Sequence, residues 1–339
     1  SNIMTVNLLN LLTNDEKKCS KLYSSGPYWK HKNKRTVYQI KKKTLENFRG
    51  INSGIGTSFT DNLVYDIRNE YNIKGRLVSL FYSLPIIKKI FDGQLKITSD
   101  HIKRFLQYES ISFKNNERVK FLINKYKFKN TTEFGCVRKF KVKEQEVSSH
   151  YLEMANRIEF LSEYFDFSKI NKYFEIGGGF GSNIHFLIQN FENIKKIIYL
   201  DAVPNIYVGT EYLRKFYKDK VIDYSKTRTM NKISFSNNND LEIYCIPPWE
   251  IEKLDVSIDH FHNAASFVEM PRNIVQNYVK FIKKLKISGI SLISYLNFNS
   301  KTTFDPKQLN QFFDNKLNIY NYPYVISDLG RENIYLIGK

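Results

Sequence analysis

Apolar and polar positions follow two different rhythms along this chain, and the change comes near Ser149. Before it, apolar residues recur at helical spacing between polar breaks, most clearly over residues 38–48, 77–91 and 116–127, with Ser99 placed to cap a short helix over 101–107. No strands alternate with these helices. The pattern predicts a mainly helical first domain, residues 1–148. Within it, residues 48–61 carry Gly50, Gly54 and Gly56 among Asn and Ser, a composition suited to tight turns and positive φ, and predict a loop. A plain connection is the simpler reading of that loop, and a lid over a substrate is the alternative.

From Ser149 onward, strands and helices alternate. An amphipathic helix over 151–164 precedes a short apolar strand, 172–176, which runs directly into Gly177-Gly178-Gly179-Phe180-Gly181. A helix over 183–190 leads to a second apolar strand, 197–200, closed by Asp201. Further strands read at 241–246, 257–262 and 287–296, with helices at 273–285 and 306–313. Residues 318–327 and 333–337 flank the turn-like Asp328-Leu329-Gly330-Arg331 and predict a hairpin. Alternation of this kind builds an α/β, Rossmann-like domain with a mostly parallel sheet over residues 149–339, here with an antiparallel ending.

The glycine run carries chemistry. Glycines let a backbone turn sharply and approach a ligand closely, and an acidic side chain ending the next strand can accept hydrogen bonds from two ribose hydroxyls. Gly177, Gly178, Gly179, Gly181 and Asp201, with Ala202 beside it, are therefore candidates for a nucleotide-type site. A dinucleotide fingerprint needs a third small residue where Ser182 stands. The spacing here is Glu175-x-Gly177-x-Gly179-x-Gly181, with an acidic residue two positions before the first glycine, and it resembles motif I of class I methyltransferases.

That resemblance implies S-adenosylmethionine as donor, with S-adenosylhomocysteine as product. It also implies a seven-stranded sheet ending in an antiparallel hairpin, a role for Glu175 in the cofactor site, and adenine near Trp249 and Glu250 of Pro247-Pro248-Trp249-Glu250. Tyr199-Leu200-Asp201-Ala202-Val203-Pro204, Glu211-Tyr212-Leu213 and, above all, Asn263-Ala264-Ala265-Ser266-Phe267-Val268-Glu269-Met270-Pro271 resemble the sugar O-methyltransferase family. The similarity runs from about Ser149 to the last residue, with a weaker echo in Asn47-Phe48-Arg49. It implies a sugar hydroxyl, on a glycan or glycosylated small molecule, as acceptor.

A sugar hydroxyl is a poor nucleophile at neutral pH and needs a general base within hydrogen-bond reach or a metal. The carboxyl end of the fourth strand lies at the ligand crevice of such a sheet, which places Asn263 near the donor and makes His262 and Glu269 the candidate bases. His260 shares a strand face with His262 but lies farther from the strand end. Asp259 with Glu269 would suit a hard cation, yet period two puts Asp259 on the opposite face from the histidines, so no metal is predicted.

Composition bounds the alternatives. With 42% hydrophobic residues the chain can build two ordinary cores. A formal net charge of +18 invites polyanions, but the lysines are scattered; the denser stretches, 30–43 and 114–143, lie outside the expected catalytic domain and would suit an anionic or lipid-linked acceptor. No RNA-binding module is recognisable, and Asn263-Ala264-Ala265-Ser266 lacks the prolines of amino-methylating motifs, which argues against nucleic acid. An RNA methyltransferase and a non-catalytic protein retaining the fold stay as the other readings. Residues 78–87, the most apolar run, fall far short of the roughly 20 a bilayer needs. Cys19, Cys136 and Cys245 offer neither a disulfide framework nor zinc-ligand spacing, and no secretory signal is evident; a cytoplasmic location is expected.

Overall fold

A computed structural model describes residues 2–42, 45, 48–49, 73–82, 84–87, 89–90, 113–136, 139–296, 298–321 and 333–339. Residues 50–61 of the loop expected at 48–61, the helix expected at 101–107 and the turn at 328–331 lie outside them. The chain divides into two compact units, one formed by Ser1–Asn33 with Met154–Lys339 and the other by Lys34–Glu153. The boundary expected at 148/149 falls five residues before Met154. Residues 1–33, expected in the first domain, belong to the unit that carries the sheet.

The chain opens with helices α1 (Asn2–Glu16) and α2 (Gly26–Lys42). In the unit of Lys34–Glu153, α3 spans Ile73–Tyr82 and α4 spans Glu117–Lys125. The cap of α4 is Asn116, whose side chain accepts from the Val119 N–H at 3.1 Å, and Val119, Leu122 and Ile123 form its buried stripe. Strands β1 (Phe140–Val142) and β2 (Gln145–Val147) pair as a small antiparallel hairpin. The buried Arg49 is satisfied within this unit, donating to the Thr131 carbonyl at 2.8 Å and to Ser148 Oγ at 3.0 Å.

Helix α5 (Ser149–Leu161) leads into the sheet. Its strands are β3 (Lys172–Ile176), β4 (Lys196–Leu200), β5 (Val221–Ile222), β6 (Glu242–Ile246), β7 (Ser257–Ala264), β8 (Lys286–Tyr295), β9 (Asn318–Asn321) and β10 (Asn333–Gly338). They lie in the order β5-β6-β4-β3-β7-β8-β10-β9. The first six are parallel, and β10 inserts antiparallel between β8 and β9. This is a mostly parallel, Rossmann-like sheet with an antiparallel ending. It has eight strands where seven were expected, because the two-residue β5 adds to the edge at β6, and two residues are too few to show a period.

Helices α6 (Ser182–Asn190), α7 (Asn205–Tyr217) and α8 (Arg272–Ile282) connect the strands. Every residue of β4 and β6 is buried, as expected for central parallel strands covered on both faces. Phe174, Ile176, Ile198, Leu200, Ile246, Phe261 and Leu336 meet in the core below the site. Helix α7 escapes a sequence reading because Gly209, a poor helix former, interrupts it. A side chain there is excluded, since a Cβ would lie 2.1 Å from the Tyr199 hydroxyl.

Burial of all of β4 includes a charge. Lys196 is 3% exposed and its Nζ donates to Glu242 Oε1 at 3.0 Å and to Asn238 Oδ1 at 2.8 Å. Removing one partner strands a buried ion, so Glu242→Ala should lower unfolding free energy by about 3–5 kcal/mol, while Lys196→Met with Glu242→Leu should lose far less. Denaturant unfolding of the two variants measures both.

Candidate cofactor and acceptor site

The strand order locates the site. From β3 the chain winds outward through β4 and β6, then returns to β7 on the other side of β3, so neighbouring connections diverge above the carboxyl ends of β3 and β7. Ligands of open parallel sheets bind at such a switch point. The loop after β3 is the glycine run, and the segment after β7 is Ala265–Met270.

The glycines are required there by conformation and by space. Gly177, Gly179 and Gly181 have φ of 77°, 62° and 81°, a region that L side chains rarely enter. At Gly177 an added Cβ would also sit 2.2 Å from Ser266 Oγ, so the two loops meet backbone to side chain. Asn263 clamps this contact: its Nδ2 donates to the Ile176 carbonyl at 2.8 Å and to Ser266 Oγ at 2.5 Å, and its Oδ1 accepts from the Phe267 N–H at 3.3 Å.

Asp201, at the end of β4, faces the same loop. Its Oδ2 accepts from the Gly179 N–H at 2.8 Å and its Oδ1 from the Ala202 N–H at 2.7 Å, with Asn205 Nδ2 at 3.4 Å. Burial pushes its carboxyl up to about 7 despite the two backbone donors, and the nearby charge of Glu269 adds to the rise. A carboxylate offers about four acceptor directions, so one remains for a ribose hydroxyl, and a second if the long Asn205 contact yields. Tyr199, buried on β4, donates from its hydroxyl to the Gly179 carbonyl at 2.5 Å and to the Asn205 carbonyl at 3.2 Å. It holds both sides of the loop, a role that no spacing in the sequence marks.

Glu175 lies beneath the glycines, 2% exposed, where its Oε2 accepts from Asn183 Nδ2 at 3.0 Å, while the same amide donates to the Tyr173 hydroxyl at 2.9 Å. Burial raises its carboxyl to about 7. It ties β3 to α6 and stabilises the loop from below.

The expected site residues part company here. His262 is paired across the strands with Glu175 and Ser291. The Ser291 hydroxyl bridges His262 Nδ1 at 2.7 Å and His260 Nε2 at 2.8 Å, and burial pulls the His262 imidazole down to about 3. Glu269 stands at the rim instead, accepting at Oε1 from the Tyr295 hydroxyl and at Oε2 from Trp29 Nε1, both at 2.8 Å. Trp249 donates to the Tyr224 hydroxyl at 3.1 Å, and that hydroxyl donates to Asp15 Oδ2 at 2.9 Å. Glu250 is fully buried, taking Thr227 Oγ1 at one oxygen and Lys253 Nζ at the other, so it braces the turn after β6 and has both oxygens engaged by protein. Asp259 caps the start of β3, accepting from the Asn171 and Lys172 N–H groups at 2.8 and 2.9 Å. That is the opposite end of the sheet from Glu269, so the two cannot share a cation.

No protein-family model matches the chain, and no curated protein does. Among solved structures, the mitomycin 7-O-methyltransferase MmcR is similar at 13% identity, over 56% of this chain and 57% of that one, with a TM-score of 0.35. The magnesium protoporphyrin IX methyltransferase ChlM of Synechocystis PCC 6803 with bound SAM is similar at 8% identity, over 56% and 80%, with a TM-score of 0.36. TrmK of M. capricolum in complex with S-adenosyl-homocysteine is similar at 14%, over 54% and 67%, with a TM-score of 0.34. Matches this distant carry no argument about chemistry; the fold rests on the strand order and its antiparallel ending. No described helix is long and apolar enough to cross a membrane.

The Asp201 environment gives a pH test. A hydroxyl donating to this carboxyl favours its ionised form, and the group is neutral below about 7. Affinity for a nucleoside whose ribose donates to Asp201, with S-adenosylhomocysteine as the probe, should therefore be highest above pH 7 and fall by up to about tenfold per unit below it. Calorimetry across that range should show a flat, weaker profile for Asp201→Asn.

Proposed function

We propose that the protein is an S-adenosylmethionine-dependent O-methyltransferase acting on a sugar hydroxyl, with Glu269 as general base. The observation that carries this reading is the pairing, across one switch point, of a cradle of positive-φ glycines facing a buried Asp201 with a second carboxylate, Glu269, whose charge reaches Asp201. The residues fit the donor: the cradle accommodates only backbone, and Asp201 keeps acceptor capacity for ribose. When bound, S-adenosylmethionine supplies a methyl carbon activated by a sulfonium, and the C–S electron pair stays on sulfur after transfer.

The remaining work falls to this chain. Gly177 to Gly181 hold the backbone clear of the ligand, and Tyr199 and Asp201 fix that loop from the β4 side. Glu269 accepts the acceptor's hydroxyl proton as the new O–C bond forms, so charge and atoms balance. His262 is the weaker candidate, because a group held near 3 is a poor proton acceptor at neutral pH. What supports a sugar acceptor is the likeness of the Ser266-Phe267-Val268-Glu269-Met270-Pro271 segment to the sugar O-methyltransferase family; that segment follows β7 at the switch point.

Well above pH 7, where Asp201 is ionised in both proteins, Glu269→Gln should leave S-adenosylhomocysteine affinity unchanged and lower turnover about 10²–10⁴-fold on a panel of methyl glycosides. Full turnover in the variant removes Glu269 as base. Methylation of RNA in place of every glycoside would overturn the acceptor.

A further inference from the structure

Among its described partners, Glu269 accepts from two neutral donors that arrive from distant parts of the chain. Tyr295 ends β8, and Trp29 lies in the first turn of α2, 240 positions away in sequence. The N-terminal segment that delivers Trp29 is fastened to the sheet unit at several points. Asp15 accepts from Tyr224 and from Arg228 Nη2, the latter at 3.1 Å, and the Tyr23 hydroxyl donates to Glu252. Gly26, at φ 73°, packs so closely on Pro271 that a Cβ would lie 2.7 Å from its Cδ. That last contact joins the start of α2 to Pro271, which lies two residues after Glu269, and Gly26 itself lies three residues before Trp29.

Two carboxylate oxygens each taking one directed hydrogen bond leave the carboxylate plane and its remaining lone pairs fixed. Such fixing matters for a base that must meet a hydroxyl in line with a transferring methyl, where an error of about 1 Å costs on the order of 10²-fold in rate. Neither donor carries a charge, so neither neutralises the carboxylate they hold. We propose that Trp29 and Tyr295 are positioning residues for Glu269, and that the N-terminal segment thereby completes the acceptor side of the catalytic site. This rests on the reading of Glu269 given above and adds the groups that act through it.

The chain has two tryptophans, Trp29 and Trp249, so its indole N–H groups give two NMR signals, assigned with Trp249→Phe. The Trp29 signal should titrate with pH, and Glu269→Gln should abolish that titration; among the described residues, Asp201 is a charged neighbour of Glu269, and Lys32 lies 4.8 Å from the Trp29 ring centre. Tyr295→Phe removes a donor to the ionised form and should move the midpoint upward. With a methyl glycoside that is turned over, Trp29→Phe and Tyr295→Phe should each lower kcat by about 10- to 100-fold, shift the acid limb of the pH profile upward and leave the KM for S-adenosylmethionine unchanged. Gly26→Val, which alters neither partner, should reproduce the Trp29→Phe pattern.

An indole signal indifferent to Glu269→Gln, or variants that change only thermal stability, would overturn the proposal. S-adenosylhomocysteine affinity, measured on the same samples, separates this result from the donor reading. Its loss in the unmodified protein sinks the methyl-donor assignment without touching the Trp29–Glu269 coupling.

Discussion

The site depends on two loops approaching closer than side chains permit. Gly177 has no room for a Cβ because Ser266 occupies that space, and Ser266 is there because Asn263 holds it while also gripping the carbonyl that ends β3. Three residues thus define the floor of the crevice between β3 and β7. Everything proposed about donor and acceptor follows from this closure, since the glycine cradle faces one side of it and Glu269 the other.

Two buried carboxyls surround that floor, and their surroundings separate their roles. Glu175 accepts from Asn183 beneath the loop, whereas Asp201 grips the loop from above through a backbone N–H and keeps an acceptor direction in reserve. Both are raised toward neutrality by burial.

What could be read from the chain tracks how local the determining signal is. Strand β3 and the glycine run stand out because five apolar-rich positions and three glycines are contiguous, and Asp201 is marked by following β4 directly. Period two placed Asp259 away from His262, and the structure puts it at the far end of the sheet, on the first amides of β3. Nothing local distinguishes Tyr199 from any buried strand tyrosine, or reveals that Glu250 turns inward to Thr227 and Lys253. Trp29 meeting Glu269 is a contact between chain segments with no shared period, and only the folded chain discloses it.

The sheet unit is discontinuous in sequence, with residues 34–153 forming a separate unit between its first segment and the rest. During synthesis at about 5–20 residues per second, α1 and the start of α2 therefore leave the ribosome many seconds before any strand that they will pack against. β9 cannot join the sheet until β10, which follows it in the chain, has slipped between it and β8. Segments far apart in sequence thus close the sheet unit together, and folding meets these long-range contacts only after it has borne the entropy of closing long loops.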